Sequence, residues 1–476
     1  VKQHLPEHFD RNAREALADE TLRGALRKAT GLFGAQRSAA VAEMPDWEGL
    51  RERARAIKAE TLANLDRHLE HFVERAEANG IEVRWARDGA EACEIVTAIA
   101  DRLGKPTIVK SKSMTTEEIH LNAHLERAGH RPVETDLGEW IIQLAGETPS
   151  HIIAPAIHKT KRQIGELFHE KVGIPLSEDE HEMTRAARRI LRREFADADL
   201  GITGANFAVA ETGSILLVEN EGNIRLTTSL PRVLVSIMGI EKVIPRLADL
   251  EVFLRLLPRS GTGQRMTSYQ SLISGPREGP GDEGPEEMVV ILLDNGRTAM
   301  LHDEDMRESL ACIRCGACLN ACPVYQQIGG HAYGSVYPGP IGAVITPQLD
   351  GLGKTSQLPF ASSLCGACRD VCPVKIDIPR LLLRLRAKVV TRHDLHGSND
   401  RIPPRRLERV AFALWTWFAL HHTRWTFAVR LARVFQRVGL ERLAPPVRAW
   451  RAERALRPLA KRAFRDLWRA GDGGRE

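Results

Sequence analysis

A chain of 476 residues, 43% of them hydrophobic, is long enough for two or three domains with real cores. No apolar stretch reaches bilayer-spanning length; the longest, 410–420, has about 11 residues. With seven of the eight cysteines in two short motifs, an extracellular disulfide framework is excluded. The opening residues Val1–Glu7 carry no apolar h-region, so no signal peptide is visible and the cytoplasm is the expected location. The net charge of +5 is unevenly spread: residues 401–476 hold 18 Lys+Arg and 6 Asp+Glu, an excess of +12 that leaves −7 on the rest.

Four parts follow in chain order. Residues 1–65 read as a helical segment, with helical spacing over 11–28 and 47–67. Residues 66–296 alternate between strands and helices, which predicts an α/β domain with a largely parallel sheet. The strand candidates are 81–85, 107–110, 151–154, two runs within 202–218, 233–238 and 288–293. A helix is expected over 90–103, and another should start at a capping box of Thr115 and Glu118.

Open α/β sheets bind ligands at strand ends. Polar groups collect there in four segments: Lys110 and Lys112; Glu134, Asp136 and Glu139; Pro155, His158 and Lys159; and Glu211–Ser214. Lysines at such ends can hold carboxylates or phosphates, and a nearby His or Glu can exchange a proton. The candidate catalytic residues are therefore Lys110, Lys112, Glu134, His158 and Glu211, although each alone also fits a solvated loop. No dinucleotide fingerprint and no phosphate-binding P-loop is present.

Residues 297–395 carry the most specific signal. Cys312, Cys315, Cys318 and Cys322 followed by Pro323 form the full C-x2-C-x2-C-x3-C-P run of bacterial ferredoxins. Cys365, Cys368 and Cys372 followed by Pro373 repeat it without the leading cysteine. Three thiolates on a wrapping loop reach one cluster, and the fourth reaches the other. Two [4Fe-4S] clusters are thus expected: one on Cys312, Cys315, Cys318 and Cys372, the second on Cys322, Cys365 and Cys368. Zinc or disulfides explain the paired Cys-Pro endings poorly. Ser362 stands where the missing cysteine would be. The fourth iron of the second cluster could bind Ser362 or another local group, stay open to water or substrate, or be absent; an open or non-cysteine site is preferred. Cys93, in the expected helix, reads as a buried bystander. The Gly- and Pro-rich stretch 324–363 suggests an irregular loop over the clusters, and 378–390 reads as a helix.

Residues 396–476 form a basic amphipathic helical region, with Phe412, Trp415, Trp417, Phe418, Trp425 and Phe427 between arginines. A packed helical face is the favoured reading. The alternative is contact with a membrane surface or an acidic protein. No nucleic-acid partner is expected, since charge alone would support one.

The order of segments resembles the lactate utilisation protein B family of bacterial iron–sulfur proteins. The resemblance rests on residues 109–114, 134–139, 151–159 and 210–215, on both cysteine motifs and on the Trp-rich basic tail. It implies a sugar-isomerase/CoA-transferase-like fold for the α/β part, followed by a helical two-cluster ferredoxin-like module. It also implies a role as electron-transfer subunit of a cytoplasmic system that oxidises L-lactate to pyruvate. The implied partners are a cysteine-rich iron–sulfur protein and a smaller protein with the same α/β domain. Two four-iron clusters, the second with three motif cysteines, are implied as well. Alternatives are another 2-hydroxy-acid or glycerol-phosphate oxidation system, and a non-catalytic iron–sulfur redox sensor.

Overall fold

The computed structural model describes residues 4–391 except 280, residues 406–439, and residues 447–470 except 449–450, 452–453, 456 and 463. It divides into two compact units, Val1–Ile402 and Pro403–Glu476. The expected boundary at 395–396 and Arg405 lie outside the described residues.

In the first unit the strands are β1 (Glu82–Ala86), β2 (Ile108–Lys110), β3 (Pro132–Glu134), β4 (Leu200–Thr203), β5 (Phe207–Val209), β6 (Ser214–Glu219), β7 (Val233–Gly239), β8 (Val243–Ile244), β9 (Tyr269–Ile273) and β10 (Glu287–Leu293). The main sheet has six parallel strands in the order β1-β10-β7-β4-β2-β3. Its central strands β4, β7 and β10 are buried almost throughout, as parallel strands covered on both faces must be. A four-stranded sheet, β8-β5-β6-β9, packs beside it and is partly antiparallel. The two runs expected within 202–218 are β5 and β6, joined at Glu211–Gly213. Glycine is required in that turn: Gly213 has φ +68, and a Cβ there would lie 2.4 Å from the Ala76 nitrogen.

Three expectations need correction. Residues 151–154 form no strand: His151 is buried, and its Nδ1 accepts the Ile153 and Ala154 amides at 3.1 and 3.3 Å, which curls the segment. Thr115 and Glu118 form no capping box, because Ser113 caps the helix Met114–Glu118 and Glu118 is engaged elsewhere. The 324–363 stretch is largely helical rather than an irregular loop, with helices Tyr325–Ile328, Gly339–Asp350 and Leu352–Thr355. Its glycines permit close packing: a Cβ on Gly342 would meet the Tyr337 carbonyl oxygen at 1.7 Å.

The N-terminal helices Phe9–Ala18, Glu20–Ala42 and Trp47–Ala63 pack on the cysteine region. Leu26, Leu50 and Ala54 share one core with Cys318, Tyr325, Leu381 and Leu385. Arg51 donates to the Cys372 carbonyl at 2.8 Å and fixes the second motif to the third of these helices.

In the second unit, helices Arg406–Ala419 and His422–Arg437 contact one another, with Arg424 stacked 4.0 Å from the Trp417 ring. Within this unit Phe412, Trp415, Trp417, Trp425 and Phe427 are exposed. Among the described residues no helix is long and apolar enough to cross a membrane.

Candidate functional site

The site begins with two loops that repeat one backbone path. In the first, Arg314 (φ 60) and Gly316 (φ 72) adopt left-handed conformations that fold the chain around a center. The short helix Ala317–Ala321 then carries Cys318. In the second, Leu364 (φ 55) and Gly366 (φ 88) do the same ahead of the helix Ala367–Asp370.

Cys312, Cys315, Cys318 and Cys372 line a single small cavity of about 20 Å³, walled by apolar side chains such as Ile152, Ile341 and Ile378. Cys372 thus joins the first motif's cysteines although it belongs to the second. Burial and mutual repulsion push the Cys315 and Cys318 thiols upward, and burial pushes Cys372 up to about 11. Such thiols give up their protons when a bound cation compensates the charge. Backbone amides already point at the sulfurs: Ile376 N–H donates to Cys372 Sγ at 3.3 Å, and Arg314 N–H to Cys312 Sγ at 3.4 Å. These donors favour charged sulfur.

Cys322, Cys365 and Cys368 form the second group. Burial and then the Cys322 charge push Cys368 up to about 12, and Cys322 in turn senses Cys365. Cys365 is exposed, and the Ala367 amide and the Ser363 hydroxyl hold its thiol down. All eight cysteines are free thiols. Among the described residues, no three His, Cys, Asp or Glu side chains converge as a single ion requires. Four sulfurs around one apolar-walled cavity, each accepting from a backbone amide, instead fit an iron–sulfur cluster. Cys93 stands apart: its Sγ lies 3.5 Å from the Ile119 carbonyl, and burial raises it to about 11.

A second, larger cavity of about 290 Å³ opens at the carboxyl ends of β2, β3 and β4, and Cys315 and Arg314 lie in its wall as well. Its cations are Lys112, Lys242 and Arg314, and its acids include Asp136, Glu219 and Glu221. Burial and the neighbouring Arg314 pull Lys242 down to about 8. Burial, then repulsion from Asp136, pushes Glu221 up to about 7, near the range of a general base.

The Arg314 side chain is 10% exposed and lies 4.8 Å over the Tyr337 ring. Its Nη2 reaches Glu241 Oε1 at 3.4 Å, whereas Nη1 is buried without a hydrogen-bond partner. A buried guanidinium nitrogen without a partner favours a nearby anionic group. Behind it, Arg297 Nε donates to Glu241 Oε2 at 2.6 Å, and Tyr337 O–H donates to Glu118 Oε2 at 2.7 Å. Burial pushes Glu241 up, but Arg297 and Arg314 outweigh it and hold the carboxyl at about 2.

Of the residues that strand ends suggested, Lys112 and Asp136 line this cavity. Lys110 is fully buried in a structural ion pair, 2.6 Å from Glu134 and 3.1 Å from Glu117. His158 lies 2.8 Å from Glu147 beside the His331 ring, and Glu211 braces a turn by accepting the Leu247 amide at 2.7 Å. Glu219, Glu221, Lys242 and Arg314 were not singled out from sequence. The acid pair at the end of β6 ahead of Gly222 was one available signal. The arginine inside the cysteine motif was another.

Residues 69–293 match the model of the LUD domain, and residues 308–376 that of the 4Fe-4S dicluster domain. The chain is 44% identical over 405 residues to the "Uncharacterized electron transport protein YkgF" of Escherichia coli, covering 85% of this chain and 84% of the relative. It is 46% identical to the "Lactate utilization protein B" of Bacillus cytotoxicus over 80% of each chain. With the Bacillus pumilus protein of that name it shares 42% identity over 97% of each.

Proposed function

Because the chain belongs to the lactate utilization protein B family, we propose that it is the iron–sulfur electron-transfer subunit of a multi-protein system oxidising L-lactate to pyruvate. One observation carries this reading: Cys315 and Arg314 line both the sulfur-ringed cavity and the polar cavity at the strand ends. A substrate held in the second would lie beside a cluster held in the first.

In this reading Cys312, Cys315, Cys318 and Cys372 ligate one [4Fe-4S] cluster, and Cys322, Cys365 and Cys368 supply three ligands to another. The mutual charge effects within each group support that division. When bound, each cluster would accept one electron at a time. The chain's own residues do the rest. The Arg314 guanidinium and Lys242 hold a carboxylate, with Lys112 also in the lining. Glu221 takes a proton from the substrate hydroxyl. The apolar wall of Ile152 and Ile153 limits water. Loss of two electrons and two protons turns the 2-hydroxy acid into the 2-oxo acid. The O–H and Cα–H bonds break as the C=O bond forms: the hydroxyl proton goes to Glu221, the Cα hydrogen leaves as a proton to solvent, and the two electrons would pass singly, one to each cluster.

The companions in this proposal are a cysteine-rich iron–sulfur protein and a smaller protein with the same α/β domain. The exposed aromatic and arginine side chains of residues 406–437 are offered as a contact for a partner or a membrane surface. We assign four parts, 1–65, 66–296, 297–395 and 396–476, and a sugar-isomerase/CoA-transferase-like type for the α/β part.

Calorimetric titration of the reconstituted full chain with L-lactate tests the site. Binding that is lost in Arg314→Met supports the assignment, and no binding by the wild type refutes it.

A further inference from the structure

We propose that the Ser362 hydroxyl oxygen is the fourth protein ligand of the cluster held by Cys322, Cys365 and Cys368. The proposal rests on that cluster assignment and adds the one ligand that no cysteine supplies.

The argument is geometric. Shifting the first motif by fifty positions puts Cys312 on Ser362, Cys315 on Cys365 and Cys318 on Cys368. The backbone obeys the same shift. Arg314 and Leu364 are both left-handed, at φ 60 and 55, and so are Gly316 and Gly366, at φ 72 and 88. Neither Arg nor Leu adopts this conformation without cost, so its recurrence at the same step marks one loop built twice.

The hydrogen bonding repeats as well. Arg314 N–H donates to Cys312 Sγ at 3.4 Å, and Leu364 N–H donates to Ser362 Oγ at 3.1 Å. In each loop the amide two residues on is aimed at the side-chain heteroatom of the first motif position. The shorter distance is what a smaller oxygen acceptor requires. Ser362 Oγ therefore stands in the second loop where the Cys312 sulfur stands in the first. An N–H donor aimed at a ligand atom is the arrangement that cluster sulfurs receive, and it serves an alkoxide equally.

The loop is held for this purpose. Arg386 donates to the Ser362 carbonyl at 3.1 Å and to the Pro359 carbonyl at 2.8 Å, which fixes the backbone on both sides. The neighbouring Ser363 is the competing oxygen. Its hydroxyl is engaged with the Cys365 sulfur, and it aligns with Ile313, a position that provides no donor atom in the first loop.

Ligation involves no redox change. The serine O–H bond breaks, an oxygen–iron bond forms, and the proton leaves to solvent, which reaches this edge at the exposed Ser363 and Cys365. Oxygen is a harder donor than sulfur and favours the more oxidised cluster. The second cluster therefore has one chemically distinct iron and a lower potential than an all-cysteine version would have.

The test uses the anaerobically reconstituted full chain. Iron content, Mössbauer spectra and EPR of the reduced clusters in water enriched in oxygen-17 are compared for wild type, Ser362→Ala, Ser362→Cys and Ser363→Ala. The wild type should show no oxygen-17 broadening of the second cluster's signal. Ser362→Ala should either gain that broadening, as water takes the vacated iron, or lose one iron. Ser362→Cys should remove the distinct iron and raise the potential, and Ser363→Ala should match the wild type. Broadening already present in the wild type, or an unchanged spectrum in Ser362→Ala, would overturn the proposal. A wild-type content of about four rather than about eight irons would instead sink the cluster assignment itself, and this proposal with it.

Discussion

Arg297 grips Glu118 with both terminal guanidinium nitrogens at 2.9 Å, and the two side chains are only 2% and 3% exposed. The same arginine also holds Glu241, which reaches Arg314 in the first cysteine loop. A buried chain of charges thus joins the α/β part to the first cysteine loop.

Breaking that chain leaves an uncompensated buried charge. Arg297→Ala should destabilise the protein by about 3–5 kcal/mol, read from the urea midpoint. Replacing both partners, as in Arg297→Met with Glu118→Leu, should cost less than the single change, because no lone charge remains.

The same network dictates behaviour in acid. Glu241 is held at about 2, below an unfolded glutamate near 4.3. The unfolded chain therefore binds more protons than the folded one between these values, and stability rises with pH across that window. The contribution is complete above about pH 5 and lost as pH falls toward 2. Glu147, held at about 2 by His158 and Lys159 against the effect of burial, adds to the same trend. Denaturation measured from pH 6 to pH 3 should show the slope, and Glu241→Gln should flatten it.

Glu221 acts with the opposite sign. Its folded value of about 7 exceeds the unfolded one, so it costs stability progressively as pH rises from about 4 to 7. Deprotonated, it can serve as the base. Lactate-dependent reduction should rise through about pH 7, and Glu221→Gln should lose that limb and about 10²–10⁴-fold in rate. A pH profile unchanged by the substitution would remove Glu221 from the chemistry.

Arg314→Met removes one charge-assisted contact, worth about 1.5–3 kcal/mol, or roughly 10- to 150-fold in the Kd for L-lactate. Lys110→Met should act differently. It leaves Glu134 buried without its cation, so it should lower stability and leave the lactate affinity of the surviving folded protein unchanged.

Cys315→Ser should remove iron from the first cluster, whereas Cys93→Ser should leave iron content intact. Stripping iron with a chelator should also destabilise the fold, because the buried thiols of the first group then lose the cation that compensates them.

Much of this was legible in the sequence because it is local. Strand runs such as 233–238 and 288–293 are too apolar to sit anywhere but a covered parallel sheet. The cysteine spacing carries its own geometry, and Cys372 shares a cavity with the first motif's cysteines. What was hidden depends on tertiary contact. Lys110 and Lys112 look alike in sequence, yet β2 sends the first into an ion pair and its loop sends the second to the cavity. Arg314 was concealed inside a motif read only for its cysteines. The segment 151–154 has strand composition, but the His151 ring satisfies the amides that a strand would have paired.

The most direct measurement is an anaerobic EPR titration of the full chain with L-lactate in the presence of both companion proteins. The account predicts that cluster signals grow with lactate in the wild type and vanish in Cys315→Ser, with Cys93→Ser behaving as wild type. Signals that ignore lactate, or that survive in Cys315→Ser, would contradict it.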